Sequence, residues 1–283
     1  MKLSVSMLSG YEYCKRKLFL QYVLKIAEPP KEVLVLGSIR HEVFDLINKK
    51  EESIVKKIKT KKTLEQLQQI YKSEHSFILR ELLDSKKSVL KNFNLTVLDV
   101  FKKSWPVVIA ESISRADNLH NFIEQSNLFG DALWEQLTPK IESEFSIASE
   151  NLNLKGVIDR LEIYKEGYVP IELKTGSSPR EGAWPGHKIQ VCAYAMLLED
   201  KFKVNINEGF IIYLDAQKRQ HIPINPFLKM EVKELIGKVN SLLNNREIPE
   251  FCGNENKCRA CGLRERCYNK KYLETKLKEK IIC

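Results

Sequence analysis

An α/β fold, one mixed sheet flanked by helices, is what the order of segments in this chain predicts. Three observations carry that expectation. Three β-prone runs stand close together between residues 140 and 175, a long apolar helical stretch follows them, and two shorter β-prone runs come after that. The order is thus α-βββ-α-β-β. With 283 residues, 43% of them apolar and 29% charged, the chain has the length and balance of a soluble protein with a full core.

Taken in order, Ser9 followed three residues later by Glu12 has the form of a capping box, so a first helix is expected through about Leu24. Glu28-Pro29-Pro30 breaks it. The run "VLGSIRHEVFDLINKK" reads as a second helix with Val43, Phe44 and Ile47 on its apolar face. Residues from about 50 to 140 are rich in lysine and leucine at helical spacing, and read as a helical insertion. The pattern then changes. "KIESEFSIAS", "LKGVIDRLEIY" and "GYVPIELKT" alternate as strands, with turns at Glu150-Asn151 and Lys165-Glu166-Gly167. "HKIQVCAYAMLLED" is a helix, "EGFIIYLDA" and "RQHIPI" are strands, and "PFLKMEVKELIGKVNSLLNN" is a closing amphipathic helix. The core of a single domain spanning 1–283 is placed at about 141–245, with a cysteine-rich segment at 252–267.

Forty-six Lys and Arg against 37 Asp and Glu give a net charge of +9. That balance suits a polyanionic partner, nucleic acid or anionic membrane, and equally a lysine-rich surface that serves solubility. No apolar run reaches the roughly 18 residues that span a bilayer. The apolar stretch in "MKLSVSMLSGYEYCKRK" is too short for a secretory signal, so the chain is expected in the cytoplasm. Seven cysteines are present, four of them within "CGNENKCRACGLRERC". In a reducing compartment such crowding points to metal ligation more than to disulfides.

The paired strands of "GVIDRLEIYKEGYVPIELKTGS" carry Asp159, Glu172 and Lys174 where a buried hairpin should be apolar. Period-two spacing puts Glu172 and Lys174 on one face, opposite Leu173. One reading is a solvent-facing salt-bridge cluster. The other is a hard oxygen site in which two carboxylates, a backbone carbonyl and waters hold Mg²⁺ or Mn²⁺ beside a lysine that stabilises developing negative charge.

Asp159 with Glu172-Leu173-Lys174 resembles the PD-(D/E)XK nuclease signature, and Gln190-x-x-x-Tyr194 resembles the QxxxY extension of its RecB-type branch. Gln190 and Tyr194 are one helical turn apart and share a face. His41, in "LGSIRHEVFDL", matches the helix histidine that this branch uses as an additional metal ligand. The resemblance implies a restriction-endonuclease-like core in which His41, Asp159, Glu172 and the Leu173 carbonyl hold the ion. A nitrogen ligand favours Mn²⁺ over Mg²⁺. Lys174 then assists the attacking water, and Gln190 with Tyr194 positions the strand or Lys174. Lys15, Arg16 and Lys17 read as phosphate contacts or as solvated charges.

Cys258-x2-Cys261-x5-Cys267 is a soft-metal spacing in its own right. A zinc knuckle would recruit Cys252 as fourth ligand. The resemblance implies instead that Cys14 joins Cys258, Cys261 and Cys267 around a [4Fe–4S] cluster that staples the two ends of the chain. Cys192 falls in an apolar helix and reads as core; Cys283 needs no role. The resemblance runs from Cys14 to Cys267, apart from the insertion, and is closest to the CRISPR-associated iron–sulphur exonuclease family. It implies a metal-dependent exonuclease acting on single-stranded DNA ends, in CRISPR spacer acquisition with integrase partners, a form of antiviral defence, or in end processing for repair. No Walker A pattern is present, so a helicase motor would be a separate protein.

Overall fold

Strand alternation in the middle of the chain and helical spacing elsewhere resolve into six strands and twelve helices in a computed structural model, which describes residues 2–282. In chain order these are β1 (Leu3–Ser4), α1 (Val5–Tyr13), α2 (Lys15–Tyr22), α3 (Glu32–Lys56), α4 (Leu64–Ser85), α5 (Lys87–Lys91), α6 (Val97–Ser126) and α7 (Gly130–Gln136). They continue as β2 (Lys140–Ser149), β3 (Leu154–Tyr164), β4 (Gly167–Lys174), α8 (Pro185–Phe202), β5 (Glu208–Tyr213), β6 (Lys218–Pro223) and α9 (Pro226–Asn244), and end with α10 (Glu255–Ala260), α11 (Arg264–Tyr268) and α12 (Lys270–Ile282). Cys283 lies outside the described residues.

The sheet is mixed: β2–β3, β3–β4 and β5–β6 are antiparallel, while β1–β3 and β4–β5 are parallel. Its most consequential feature is one edge of β3. β2 pairs with β3 from Leu154 to Ile163, but the opposite edge is shared, β1 taking Leu154 and Lys155 and β4 taking Arg160 to Tyr164. Among the described residues, 156–159 have no strand partner on that edge, so the sheet opens where Asp159 stands.

Two apolar layers cover the sheet. On one side α1, α2, α8 and α9 pack with Ile158 and Ile211; on the other, α3, α4 and α6 pack with Ile171, Leu173 and Leu214. Every residue of α8 from Ile189 to Leu198 is buried, as expected of a helix enclosed on all sides. Cys192 is among them. A third apolar cluster lies within α3, α4, α6 and α7. No helix among the described residues is long and apolar enough to cross a membrane.

The first helix differs from its sequence reading. The capping box is Ser4 with Met7, not Ser9 with Glu12, and Ser9 lies inside α1. A single helix to Leu24 is also replaced by two, because Cys14 is extended (φ −167°, ψ 108°). Its Sγ accepts the Lys17 N–H at 3.3 Å, so Cys14 caps α2, a break that the apolar pattern does not record.

The α3–α7 helices are tied to β3 by a buried ion network. Glu111 of α6 accepts from Arg160 of β3 at 2.9 Å and from Arg115 at 2.6 Å, and Arg115 reaches Glu51 of α3 at 2.5 Å. Burial pushes the Glu111 pKa up, but Arg160 and Arg115 outweigh it and hold it down at about 2. Removing one member of such a pair strands its partners, so Glu111→Ala should cost about 3–5 kcal/mol by urea denaturation. The sign of the pH effect follows from a folded pKa below the unfolded one: the stabilisation is present above the ordinary carboxylate pKa of 4.5 and is lost as pH falls towards 2.

Candidate active site

Asp159 fills the opening in the sheet. Its Oδ2 accepts the Leu173 N–H at 2.8 Å, taking the place of a missing strand partner. A residue in an extended strand sends its N–H and C=O to the same edge, so the Leu173 carbonyl also lies on the Asp159 side. Asp159 Oδ1 stands 3.3 Å from His41 Nδ1. His41 reaches it because α3 passes close to the end of β4: a Cβ on Gly37 would lie 3.2 Å from Thr175 Oγ1. Arg40 secures the same approach by pairing with Asp215, whose Oδ2 accepts the Gly176 N–H at 2.5 Å.

Glu172 is 4% exposed. Its Oε1 accepts from Lys174 Nζ at 2.6 Å and from Gln190 Nε2 at 3.0 Å, whereas its Oε2 is buried with no hydrogen-bond partner among the described residues. Leaving a carboxylate oxygen unpaired is costly, more so next to another acid. Burial, and then the charge of Asp159, push the Glu172 pKa up to about 7. Tyr194 follows Gln190 along the face of α8 and packs on β3, where a Cβ on Gly156 would come within 2.7 Å of its ring. Burial, then the charges of Glu172 and Asp159, raise its phenol pKa. Lys174, Gln190, Tyr194, His41, Asp159, Glu172 and Leu173 thus converge on one place.

Glu144, on β2, is the residue that sequence reading missed. Pairing on either side of it keeps one register, Ser143 opposite Arg160 and Phe145 opposite Ile158, so Glu144 stands level with Asp159. Its backbone is left-handed (φ 50°), a conformation that costs roughly 1–3 kcal/mol and gathers at functional sites. Ligand atoms of Glu144, His41 and Asp159 lie within 4.8 Å of one another. Burial, then Asp159, raise the Glu144 pKa. Burial works against the His41 imidazolium, but the hydrogen bond and charge of Asp159 prevail and raise its pKa. Glu144, Glu172 and the His41 imidazole are held away from their ordinary pKa values beside Asp159, with an orphaned carboxylate oxygen among them, an arrangement that fits a divalent cation.

The cysteines form a second centre. Cys14, Cys258, Cys261 and Cys267 line one cavity together with Cys252, whose Sγ is 3.5 Å from that of Cys258. Arg16 belongs to this centre and is not a free phosphate contact. It is buried, stacks 4.0 Å over Phe251, and donates from Nε to Cys267 Sγ at 3.1 Å. Lys17 pairs with Glu28 at 2.6 Å, and Lys15 lies over the Tyr11 ring at 5.2 Å.

A family model described as the PD-(D/E)XK nuclease superfamily matches residues 2–268. A CRISPR-associated exonuclease Cas4/endonuclease Cas1 fusion of Leptospira interrogans is 32% identical over 148 residues, covering 49% of this chain and 27% of that protein. The DNA replication ATP-dependent helicase/nuclease dna2 of Schizosaccharomyces pombe is 26% identical over 275 residues, covering 90% of this chain and 17% of that protein. The CRISPR-associated exonuclease Cas4 of Rhodospirillum rubrum is 25% identical over 126 residues, covering 44% of this chain and 38% of that protein. This chain therefore spans less than half the length of each of these relatives. Its match to the family model runs through both the acidic centre and the cysteines, and the chain belongs to the PD-(D/E)XK nuclease superfamily.

Proposed function

We propose that this nuclease is a metal-dependent deoxyribonuclease that digests single-stranded DNA from its ends. The observation that carries the metal is the orphaned Glu172 Oε2 in a nest of acids. His41, Asp159, Glu172 and the Leu173 carbonyl would hold Mn²⁺ or Mg²⁺, with Glu144 as a further carboxylate. When bound, the cation would offset charge on the scissile phosphate and lower the pKa of water. Gln190 occupies Glu172 Oε1, which would leave Oε2 available to the ion. Lys174, held by the same Oε1, would place its ammonium beside the phosphate and orient the attacking water. Tyr194, one turn further along the helix, would support Gln190.

Cys14, Cys258, Cys261 and Cys267 would hold a [4Fe–4S] cluster. The donor chemistry fits: the thiols share one cavity, and the Arg16 Nε–H and Lys17 N–H point at sulphur, as they would towards cluster thiolates. The whole, 1–283, would act as one nuclease domain with α4–α7 inserted.

Two cellular settings follow from the relatives. The Cas4-named relatives favour trimming of DNA for CRISPR spacer acquisition with an integrase partner, as the Cas4/Cas1 fusion suggests. The helicase/nuclease match covers 90% of the chain and so takes in the α4–α7 helices, which favours end processing alongside a helicase activity.

Labelled linear single-stranded DNA should disappear in Mn²⁺ while a closed single-stranded circle of the same length survives. Cleavage of the circle would refute exonuclease action. Binding should also weaken steeply with salt and show little preference among base sequences, because phosphates dominate it. A titration of fluorescent oligonucleotides between 50 and 200 mM salt, roughly the range over which such slopes are read, measures this.

A further inference from the structure

The chain must return from the end of β4 to the start of parallel β5, so α8 runs antiparallel to β4. Residues earlier in α8 therefore face residues later in β4. Gln190 meets Glu172, and His187, one turn earlier on the same face, comes level with Lys174. Tyr213, the β5 register partner of Lys174, lies 3.1 Å from His187 Nδ1 through its hydroxyl.

The neighbours fix the histidine tautomer. The Trp184 N–H donates to the Tyr213 hydroxyl oxygen at 3.2 Å. Tyr213 is fully buried, and among the described residues its O–H has no acceptor other than His187 Nδ1. An unpaired buried hydroxyl proton is costly, so Tyr213 donates to Nδ1 and the imidazole carries its proton on Nε2. Burial, and then the charge of Lys174, hold the His187 pKa down at about 4, so the ring is neutral. Its Nε2 has no protein partner among the described residues, and the side chain is only half-buried.

We propose that His187 is a further substrate contact, a neutral Nε2–H donor locked by Tyr213, that hydrogen-bonds an oxygen of the phosphate held beside Lys174. The assignment rests on the nuclease reading above. Beside Lys174 a neutral donor adds no repulsion, and its bond strengthens as charge builds on the phosphate oxygen. His187 would thus serve the transition state more than ground-state binding.

The test compares wild type, His187→Ala and His187→Gln in Mn²⁺ on single-stranded DNA, with thermal melting measured on each. Gln carries an amide N–H at about the reach of Nε2. His187→Ala should lower kcat about 10- to 100-fold, the equivalent of one hydrogen bond to a charged acceptor, with KM little changed. His187→Gln should recover most of the loss, which a merely packed ring would not. Wild-type kcat in His187→Ala, or equal losses in both variants at unchanged melting temperature, would overturn the proposal. If His187→Ala melts early, His187→Gln alone decides: near-wild-type kcat supports the donor and a loss refutes it. Failure of the wild type itself to cleave would refute the nuclease reading instead.

Discussion

Glu172→Gln protein should be folded, lose its response to Mn²⁺, and lose cleavage to the limit of detection. The metal-free fold has little to lose by this change. Glu172 already has a pKa near 7, so the neutral, isosteric amide resembles a form populated at neutral pH. The amide oxygen can still accept from Lys174 and Gln190, as Oε1 does. The orphaned Oε2 becomes an NH₂ group with no charge to strand beside Asp159. Melting of the metal-free variant should therefore match or exceed that of wild type, as at other sites where function is kept at the expense of stability.

Metal tells the two apart. A ligand that binds only the folded state stabilises it by about 2.7 kcal/mol at 100 times its dissociation constant, so wild type should melt later in Mn²⁺ and Glu172→Gln should not. The pH dependence has a defined sign as well. A carboxyl whose folded pKa exceeds its unfolded value favours folding while protonated, so metal-free wild type should lose stability as pH rises from 4.5 through about 7. The Gln variant should lack that decline. Lys174→Ala makes the complementary case: it removes no ligand, so Mn²⁺ should still raise its melting temperature while the rate falls roughly 100- to 1,000-fold. If all these sites were solvent-facing salt bridges, each substitution would cost at most about 1 kcal/mol and leave cleavage intact. Differential scanning fluorimetry with and without Mn²⁺, beside a cleavage assay, separates the outcomes.

Much of this site is legible in the sequence, because the residues that build it obey simple periods. Asp159, Glu172 and Lys174 break the alternation of strands whose boundaries match β3 and β4, and Gln190 and Tyr194 recur at helical spacing on α8. What is hidden depends on contacts across elements. Glu144 sits in "KIESEFSIAS" as an ordinary polar position, and only the register of β2 on β3 puts it level with Asp159. β1 has two residues, too few for any alternation to register, yet it sets one end of the opening in which Asp159 stands. His187 was within reach of sequence reasoning, since Gln190-x-x-x-Tyr194 extended back one turn gives His187-x-x-Gln190. Its tautomer was not, because Tyr213 comes from another strand. Arg16 shows the opposite error: "CKRK" looks like a solvated basic run, but an arginine next to a helix break at Cys14 is drawn inward by the Cys267 sulphur and carbonyl.

Cys14→Ala should yield a bleached protein whose C-terminal segment is open to protease, whereas Cys252→Ala should remain brown, with about four irons per chain. The reason lies in how little the segment does for itself. α10 and α11 contain no buried residue, and from Phe251 to Lys280 only Leu263 and Leu273 are fully packed into the core. With so small an apolar anchor, the segment has mainly polar contacts such as Gly262 N–H to Glu28 and Arg266 to the Ala27 carbonyl, and a group bound by its thiols would add the strongest tie. Cys14 would be the ligand that ties it to the nuclease core, since it stands at the α1–α2 break while the other thiols of the cavity lie beyond residue 250. Cys252 shares the cavity and touches Cys258, which makes a local four-thiol zinc site the rival arrangement. The two arrangements differ in what Cys14→Ala does. Under the staple, the variant loses iron and colour, and trypsin releases residues beyond Arg246 while leaving the α/β core intact. Under the zinc site, the wild type is colourless with one zinc, Cys14→Ala keeps it, and Cys252→Ala loses it. Metal analysis and limited proteolysis of anaerobically purified proteins distinguish these outcomes, and a zinc-loaded wild type would remove the cluster from the account.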